Sequence, residues 1–306
     1  LSLLALRQQL GFLGADLGSL YWFLFCVSFF GHVFCGNKPV AAGVAGSSGW
    51  RMLWYDGPVR LYKPERKFMV QKDSLTIVNN LPFVLDEGTL LQRLHLTADS
   101  VFVEEALRFA REAAALARPK GLYKVAAVEP AGDDTVLLDG ILFTSRILRV
   151  NLDGRHRAFP FLATCGRELD DWGRALEDPM ELFWADALKE LALEAAAQAL
   201  GAHLAGKYQP GEQAAMNPGS LPDWPIHEQR ALFSLFGDGA AAIGVTLNDS
   251  FLMSPVKSIS GLWFQTDVGF VNCQLCPREE CPNRRIPHDP HLFERRYGPP
   301  GANGGH

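Results

Sequence analysis

The sequence lacks the features expected of a nucleic-acid binder, a disulfide-stapled secreted fold or a hydrolase. Its 29 basic and 34 acidic side chains give a formal net charge of −5, which excludes nucleic-acid binding through bulk positive charge. Six cysteines in 306 residues are too few for a small disulfide scaffold. The chain has no G-x-G-x-x-G or P-loop phosphate motif, no G-x-S-x-G elbow and no H-E-x-x-H pair. With 48% apolar residues, it is expected to be a cytoplasmic globular protein with a substantial core.

The N-terminal 66 residues differ in composition from the rest of the chain. Residues 17–35 form an apolar run without a charged side chain, close to the roughly 20 residues that cross a bilayer as a helix. Residues 41–49 have the Gly, Ser and Ala content of a linker. Three interpretations of residues 1–66 stay open: an upstream extension outside the native domain, a membrane anchor with the main body in the cytoplasm, or a folded segment.

Residues 67–285 mix helical and β-prone segments without a regular strand–helix–strand repeat. Runs at 158–164 and 257–266 predict strands, and the strongest helical pattern extends from 180 to about 205. This mixture favours an α+β domain with a twisted, largely antiparallel sheet flanked by helices. Residues 286–306, which end in GPPGANGGH, predict a disordered tail.

The clearest chemical motif is Cys273-x-x-Cys276-x-x-x-x-Cys281, which is followed by a proline. Two thiols separated by two residues can face one metal from a single turn, and thiolates select zinc or iron–sulfur clusters. Four ligands are normal, and Cys165 at the end of a predicted strand is the expected fourth. The Cys-Pro step is typical of ferredoxin-type sequences, so we favour a [4Fe–4S] cluster over zinc.

Two alternatives to this four-cysteine site stay open. His288 or His291 could take the place of Cys165 as a ligand, or the thiols could be free or form an isolated redox pair. The other histidines, among them His95, His203 and His227, have no partner in the sequence pattern. No catalytic residue is predicted.

A second candidate site is residues 216–225, in a proline-rich loop over 209–225 that precedes a predicted helix at 226–236. Its prolines restrict the backbone, and Gly219 allows the backbone to approach a ligand closely. By pattern alone, most loops of this kind are connectors.

From this loop onward the sequence resembles the activation, or reactivation, domain of vitamin B12-dependent methionine synthase. That family carries a Pro-Gly-Tyr loop, a helix, a segment G-x-x-L-T-E-S-x-x-M-x-P and a strand with S-V-S-G. The matching residues are Pro218-Gly219-Ser220, the run 244–250, Met253-Ser254-Pro255 and Ser258-Ile259-Ser260-Gly261. Upstream segments and the cysteine motif at 273–281 are similar to stand-alone relatives from anaerobic bacteria, so the resemblance covers residues 67–285.

The resemblance implies a helmet-like α+β fold, binding of S-adenosylmethionine and contact with a corrinoid-binding protein such as methionine synthase. In this family, inactive Co(II) corrinoid is reduced by one electron and methylated from S-adenosylmethionine. The domain positions the methyl donor, and a flavodoxin- or ferredoxin-type donor, or a bound iron–sulfur cluster, supplies the electron. The residues that the resemblance assigns to the ligand are Asn217, Pro218, Gly219, Ser220, Asp249, Ser250, Pro255, Ser260 and Gly261.

Two positions in the loop depart from the family pattern. Ala215 stands where the family has an arginine, which would pair with the ligand carboxylate through two hydrogen bonds, and Ser220 replaces the family tyrosine. Lys257 or Arg230 could supply the missing positive charge. These departures leave an alternative function open: a non-catalytic metal- or cluster-bearing binding module that has kept the fold and lost S-adenosylmethionine.

Overall fold

The computed structural model describes residues 75–281 and 284–298 of the chain. The extension predicted at 1–66, with its apolar run at 17–35, lies outside these residues. Within the described part, none of the helices combines the length and hydropathy that crossing a bilayer requires.

Ten strands and seven α-helices are assigned in the described residues. The strands are β1 (Leu75–Val78), β2 (Lys120–Lys124), β3 (Ala126–Pro130), β4 (Thr135–Leu138), β5 (Ile141–Thr144), β6 (Arg157–Thr164), β7 (Gln213–Met216), β8 (Thr246–Leu247), β9 (Met253–Ser254) and β10 (Ser258–Gln265). The helices are α1 (Glu87–Arg93), α2 (Val103–Leu116), α3 (Arg146–Asn151), α4 (Arg167–Arg174), α5 (Pro179–Tyr208), α6 (Gln229–Ser234) and α7 (Gly239–Ala242). Every described strand pair is antiparallel, which confirms the predicted α+β class.

Strand β6 is the centre of the main sheet. It pairs with β10 over residues 159–164, with β2 over 161–164 and with β3 at 157–158. Beyond these neighbours, β1 adds to β2, β4 and β5 follow β3, and β7 covers the far edge of β10. Because β6 has neighbours on both edges and is buried on both faces, its sequence is almost continuously apolar.

Alternate side chains of β6 enter two different parts of the core, as the two-residue period of a strand requires. Phe159 and Phe161 pack with Leu200 of α5, whereas Leu162 joins the core on the opposite face of the sheet. Helix α5 begins cleanly because the Asp178 side chain accepts hydrogen bonds from the Met180 and Glu181 backbone N–H groups.

The first half of α5 forms a separate helical core with α1, α2 and α4. Its members include Phe109 of α2, Leu169 of α4, and Trp184 and Leu188 of α5. The opposite face of the sheet is covered by α3, α6, α7 and the connecting loops, around residues such as Trp224 and Phe236. The loops that carry the functional candidates therefore lie mainly on the face away from α5.

The expectation of a disordered tail from residue 286 is wrong for residues 286–298. These residues form a helical turn, Phe293–Tyr297, that packs on the sheet face away from α5. Tyr297 is only 1% exposed, and its hydroxyl donates to Asn151 Oδ1 at 3.0 Å. The Arg146 guanidinium donates to the carbonyl oxygens of Tyr297 and Gly298, so side-chain contacts far away in sequence hold this segment.

Candidate functional site

Residues 217–225, which we call the Pro-Gly loop, begin directly after the end of β7. Met216 pairs with Leu262 of β10, and the next side chain, Asn217, donates from Nδ2 to the Ser260 carbonyl oxygen at 2.8 Å. Pro218 is buried directly after it. The strand pairing and the Asn217 hydrogen bond thus place this loop beside the Ser258–Gly261 part of β10, and these are two of the segments that resemble the family.

Glycine is required at position 219 by both conformation and space. Its φ of +83° lies in the left-handed region, and a Cβ there would be 2.9 Å from Ile226 Cδ1. The Gly219 N–H donates to the Trp224 carbonyl oxygen at 2.7 Å, and the Ser220 N–H donates to the Asn217 carbonyl oxygen at 3.1 Å. The tip at Gly219 and Ser220 is exposed, so its backbone is accessible to a ligand.

Asp223 anchors the other end of this loop, a role that the sequence pattern does not indicate. Its carboxylate accepts hydrogen bonds from the Ser145 hydroxyl and from the backbone N–H groups of Arg146 and Ile147. It therefore satisfies donors at the start of α3. The only available signal is an acidic residue among prolines, which does not identify its distant partners.

Gly261 allows the loop and β10 to approach each other. A Cβ at this position would lie 2.5 Å from both the Met216 carbonyl oxygen and Asn217 Nδ2, and 2.9 Å from a Phe161 ring carbon. No side chain fits in that space without movement of the backbone. The adjacent Ser260 is 4% exposed, and its Oγ has no hydrogen-bond partner within the described residues.

The start of β10 brings Pro255 and the end of β6 to the same region. The Ser258 Oγ lies 2.9 Å from Thr164 Oγ1 and 2.8 Å from the Pro255 carbonyl oxygen. The Ser254–Pro255 peptide bond is cis. The structure therefore groups Asn217, Pro218 and Gly219 with Ser260 and Gly261, and connects Pro255 to them through β10.

Asp249 and Ser250 lie elsewhere, at the exposed tip of the β8–β9 hairpin. Asp249 is 3.6 Å from the Arg230 guanidinium, which also lies over the Phe251 ring at 5.3 Å. No hydrogen bond joins either residue to the Pro-Gly loop in the part of the chain that the structure describes. Their assignment to the ligand therefore stays a prediction.

The two cations considered as replacements for the missing loop arginine both have acidic partners. Lys257 Nζ lies 2.9 Å from Asp186 and 3.8 Å from Glu190, both on α5. Arg230 pairs with Asp249. Neither side chain offers an uncompensated positive charge to a ligand.

Cys165 is not grouped with the other predicted metal ligands. It is fully buried in the helical core with Leu169 and Trp184, whereas Cys276 packs against the core on the other sheet face. Burial, reinforced by the negative charge of Asp170, raises the pKa of the Cys165 thiol to about 12, which disfavours the thiolate that a metal needs. Across residues 75–281 and 284–298, no three His, Cys, Asp or Glu side chains are grouped to hold a metal.

The three cysteines of the C-terminal motif lie on residues 273–281, which we call the cysteine loop, and one arginine shapes this loop. The Arg284 guanidinium donates to the carbonyl oxygens of Cys273 at 3.3 Å and Cys276 at 3.5 Å, and also to that of Arg278. All three thiols are partly buried. The Arg285 backbone N–H donates to Cys273 and is the main cause that lowers the pKa of this thiol below its ordinary value.

The alternative histidine ligands lie in the segment that follows this loop. The Asp289 N–H donates to the Gln274 carbonyl oxygen at 2.9 Å, which brings the chain on either side of residue 289 close to Cys273. His288 and His291 are both exposed there. A small cavity of about 200 Å³ separates the cysteine loop from the Pro-Gly loop and is lined by Ile147, Leu221, Pro222, Asp223, Leu275, Pro277 and Phe293.

Comparison with known proteins finds similarity among solved structures only. No family model and no curated protein matches the chain. Among solved structures, the chain is similar to a crystal structure of the MetH reactivation domain bound to AdoHcy, with 18% sequence identity and a TM-score of 0.46. This alignment covers 65% of the chain described here and 81% of the reactivation-domain chain.

Proposed function

We propose that this protein reactivates a corrinoid methyltransferase, such as methionine synthase, by holding S-adenosylmethionine for reductive methylation of Co(II) corrinoid. The observation that carries the proposal is the direct contact between two segments that resemble the family. Pro218-Gly219 and Ser258–Gly261 are distant in sequence, yet the Asn217–Ser260 hydrogen bond and the space left by Gly261 join them. Both segments belong to the set that the resemblance assigns to the methyl donor.

The chemistry requires little of the protein beyond positioning. One electron reduces Co(II) to Co(I), which attacks the sulfonium methyl group; the products are methyl-Co(III) and S-adenosylhomocysteine. No side chain forms a covalent bond in these steps. The exposed backbone at Gly219 and Ser220 would orient the donor, and orientation is the main contribution of such a site.

The electron donor in this proposal is a separate protein of the flavodoxin or ferredoxin type. The cysteine loop supplies the thiol chemistry for a [4Fe–4S] cluster or, as second choice, zinc, because Cys273 and Cys276 lie on one turn. As described above, its ligands are not gathered, so we assign no electron-transfer step to this loop. We place the protein in the cytoplasm, where free thiols persist, with membrane contact only if residues 17–35 form an anchor.

The decisive experiment uses the full chain under anaerobic conditions with a Co(II) corrinoid protein and a chemical reductant. Addition of S-adenosylmethionine should convert the Co(II) absorption spectrum to that of methyl-Co(III), and omission of either the chain or S-adenosylmethionine should prevent the conversion. If the spectrum is unchanged in the complete mixture, the reactivation function is wrong. Visible absorption and metal analysis of the same preparation distinguish iron–sulfur, zinc and metal-free chain.

A second candidate function is supported by Ala215 and by the acid-paired Lys257 and Arg230. If Lys257 and Arg230 stay paired with their acidic partners, the chain would keep the fold as a binding module and lose the methyl donor. Calorimetric titration with S-adenosylmethionine separates the two functions. Measurable binding supports the reactivator, and no binding supports the module.

A further inference from the structure

We propose that Cys273 and Cys276 are a thiol–disulfide exchange pair, which a small-molecule disulfide such as glutathione disulfide oxidises to an intramolecular disulfide. This modification site goes beyond the proposed function and does not depend on the methyl donor. Three observations carry it: the backbone of the turn that holds both cysteines, the absence of a group of metal ligands around this turn in the described residues, and the partial exposure of both cysteines.

The backbone of residues 271–276 places the two cysteines above one another. Asn272–Gln274 is a 3₁₀ turn, and its series of hydrogen bonds between residues three apart continues to the Cys276 N–H, which donates to the Cys273 carbonyl oxygen at 3.4 Å. In this geometry, side chains three residues apart are eclipsed and their Cα atoms are about 6 Å apart. A disulfide requires a Cα separation of about 4.4–6.8 Å, which the backbone of this turn already provides.

The turn is held in place on two sides. The Arg284 guanidinium donates to the carbonyl oxygens of both Cys273 and Cys276. Leu275, between the two cysteines, is 9% exposed and packs in the core on the sheet face away from α5. Because the backbone is restrained before the sulfurs react, closing the disulfide requires little further ordering of the chain.

A metal site requires more ligands than this turn provides. Cys165 lies in the helical core, as described above. In the part of the chain that the structure describes, no three His, Cys, Asp or Glu side chains are grouped to hold a metal ion, so Cys281 does not complete a site with the pair. Two thiols on one turn without a third ligand are suited to disulfide formation rather than to metal binding.

The surroundings of the two cysteines indicate which sulfur reacts first. Both residues are partly exposed, so a small-molecule disulfide can reach them. Cys276 packs against the core, whereas Cys273 belongs to none of the core clusters of the described residues. We therefore assign the first attack to Cys273 and the second to Cys276.

The exchange takes place in two balanced steps. The Cys273 thiolate, whose proton has gone to solvent, attacks one sulfur of the small-molecule disulfide; the S–S bond breaks, a mixed disulfide forms and one small-molecule thiolate leaves. Cys276 gives its proton to that thiolate and attacks Cys273 Sγ, which releases the second thiolate to take a proton from solvent. Two cysteine thiols are thus oxidised to one disulfide, and one small-molecule disulfide is reduced to two thiols.

The test maps the disulfide in the full chain after equilibration with mixtures of reduced and oxidised glutathione. Free thiols are alkylated, and trypsin cleavage after Lys257 and Arg278 gives a peptide, 258–278, that contains Cys273 and Cys276 and no other cysteine. As the share of oxidised glutathione rises, the wild-type peptide should escape alkylation, become lighter by two hydrogen atoms than the unalkylated reduced peptide, and carry no glutathione. Dithiothreitol should reverse the change.

Serine variants separate the roles of the three thiols in the motif. Cys276→Ser should retain one glutathione on Cys273, because the sulfur that resolves the mixed disulfide is missing. Cys273→Ser should retain about 10-fold less glutathione, because the remaining thiol packs against the core. Cys281→Ser is the matched control: it removes a thiol of the same motif outside the turn and should form the same internal disulfide as the wild type.

The proposal is wrong if the wild-type peptide carries glutathione on both cysteines, stays reduced in every mixture, or is joined to Cys281. It is also wrong if the anaerobically purified chain holds iron or zinc that both Cys273→Ser and Cys276→Ser lose. Reductive methylation of the Co(II) corrinoid protein is a separate measurement, so failure of one proposal is distinguishable from failure of the other. Thermal unfolding of each variant under reducing conditions shows that it is folded.

Discussion

The two candidate sites of this molecule are held in place by different kinds of interaction. The Pro-Gly loop is fixed by strand pairing, since β7, β10 and β6 are in defined register and Asn217 joins directly to β10. The cysteine loop is held by the Arg284 guanidinium, which donates to the backbone carbonyl oxygens of Cys273 and Cys276. A site built on paired strands has little freedom to move, whereas a loop held by a few side chains can be released by single substitutions.

The largest change in stability is expected at Gly261, where the contact between β10 and the Pro-Gly loop leaves no space for a side chain. Gly261→Ala would place a Cβ 2.5 Å from the Met216 carbonyl oxygen, and this overlap should lower the free energy of unfolding by about 3 kcal/mol. Chemical denaturation measures the change. Gly206→Ala is the control, because Gly206 lies in α5 with no atom within 4 Å of the new Cβ, and the substitution should raise stability by about 0.5–1 kcal/mol. Equal effects at the two glycines would contradict the close approach.

The next largest change in stability is expected at Asp223, which anchors the Pro-Gly loop to α3. Asp223→Ala leaves the donors of Ser145, Arg146 and Ile147 without their acceptor, so the free energy of unfolding should fall by about 2 kcal/mol. Asp238 precedes α7 without capping it through its side chain, and Asp238→Ala should change stability by less than about 0.5 kcal/mol. The anchor assignment is wrong if both variants unfold at the same denaturant concentration.

A smaller and more local effect is expected in the segment that holds the cysteine loop. Tyr297→Phe removes the hydrogen bond to Asn151 and should cost about 1 kcal/mol. Hydrogen exchange measured by mass spectrometry should become faster in residues 269–298 and stay unchanged in β10. Tyr208→Phe, at a hydroxyl for which no hydrogen bond is found in the described residues, should leave both regions unaffected. Faster exchange throughout the sheet would mean that the two sites are not held independently.

The smallest effect concerns Cys165 and depends on pH. Because burial raises the pKa of this thiol from 9.0 to about 12, its protonated form stabilises the fold below pH 9, and this contribution is lost as the pH rises above 9. Between pH 7 and 9.5 the wild-type chain should therefore lose about 0.8 kcal/mol more stability than Cys165→Ala. The other cysteines titrate in both chains, so the difference isolates Cys165. Parallel pH profiles would contradict the buried neutral thiol.

The sequence predicts those parts of the fold that local periodicity defines. The strands expected at 158–164 and 257–266 correspond to β6 and β10, and the long helix extends slightly beyond the predicted 180–205. By contrast, the sequence predicts a loop at Gln213–Met216, and the strand conformation of these residues comes from pairing with β10. The predicted helix at 226–236 is interrupted, with a 3₁₀ turn at Ile226–Glu228 ahead of α6. Contacts made across the fold override weak local preference in both places.

The same distinction applies to the candidate site residues. The family-like segments predict Asn217 and Gly261 as site residues, and the structure places them together because Asn217 directly follows β7, the strand that pairs with β10. Cys165 is predicted as a ligand from its residue type and its place at the end of a predicted strand, and nothing in the sequence shows that the two sheet faces separate it from Cys276. Asp223 carries no sequence signal, since its role depends on partners far along the chain.

Helix α5 has a consequence for how the molecule unfolds. Its 30 residues form one continuous rod of about 45 Å, whose first half belongs to the helical core and whose second half lies on the sheet. Unfolding either half of α5 would break consecutive backbone hydrogen bonds of one continuous helix. The helical layer and the sheet should therefore denature in a single cooperative transition, and the segment around Tyr297 should detach before it.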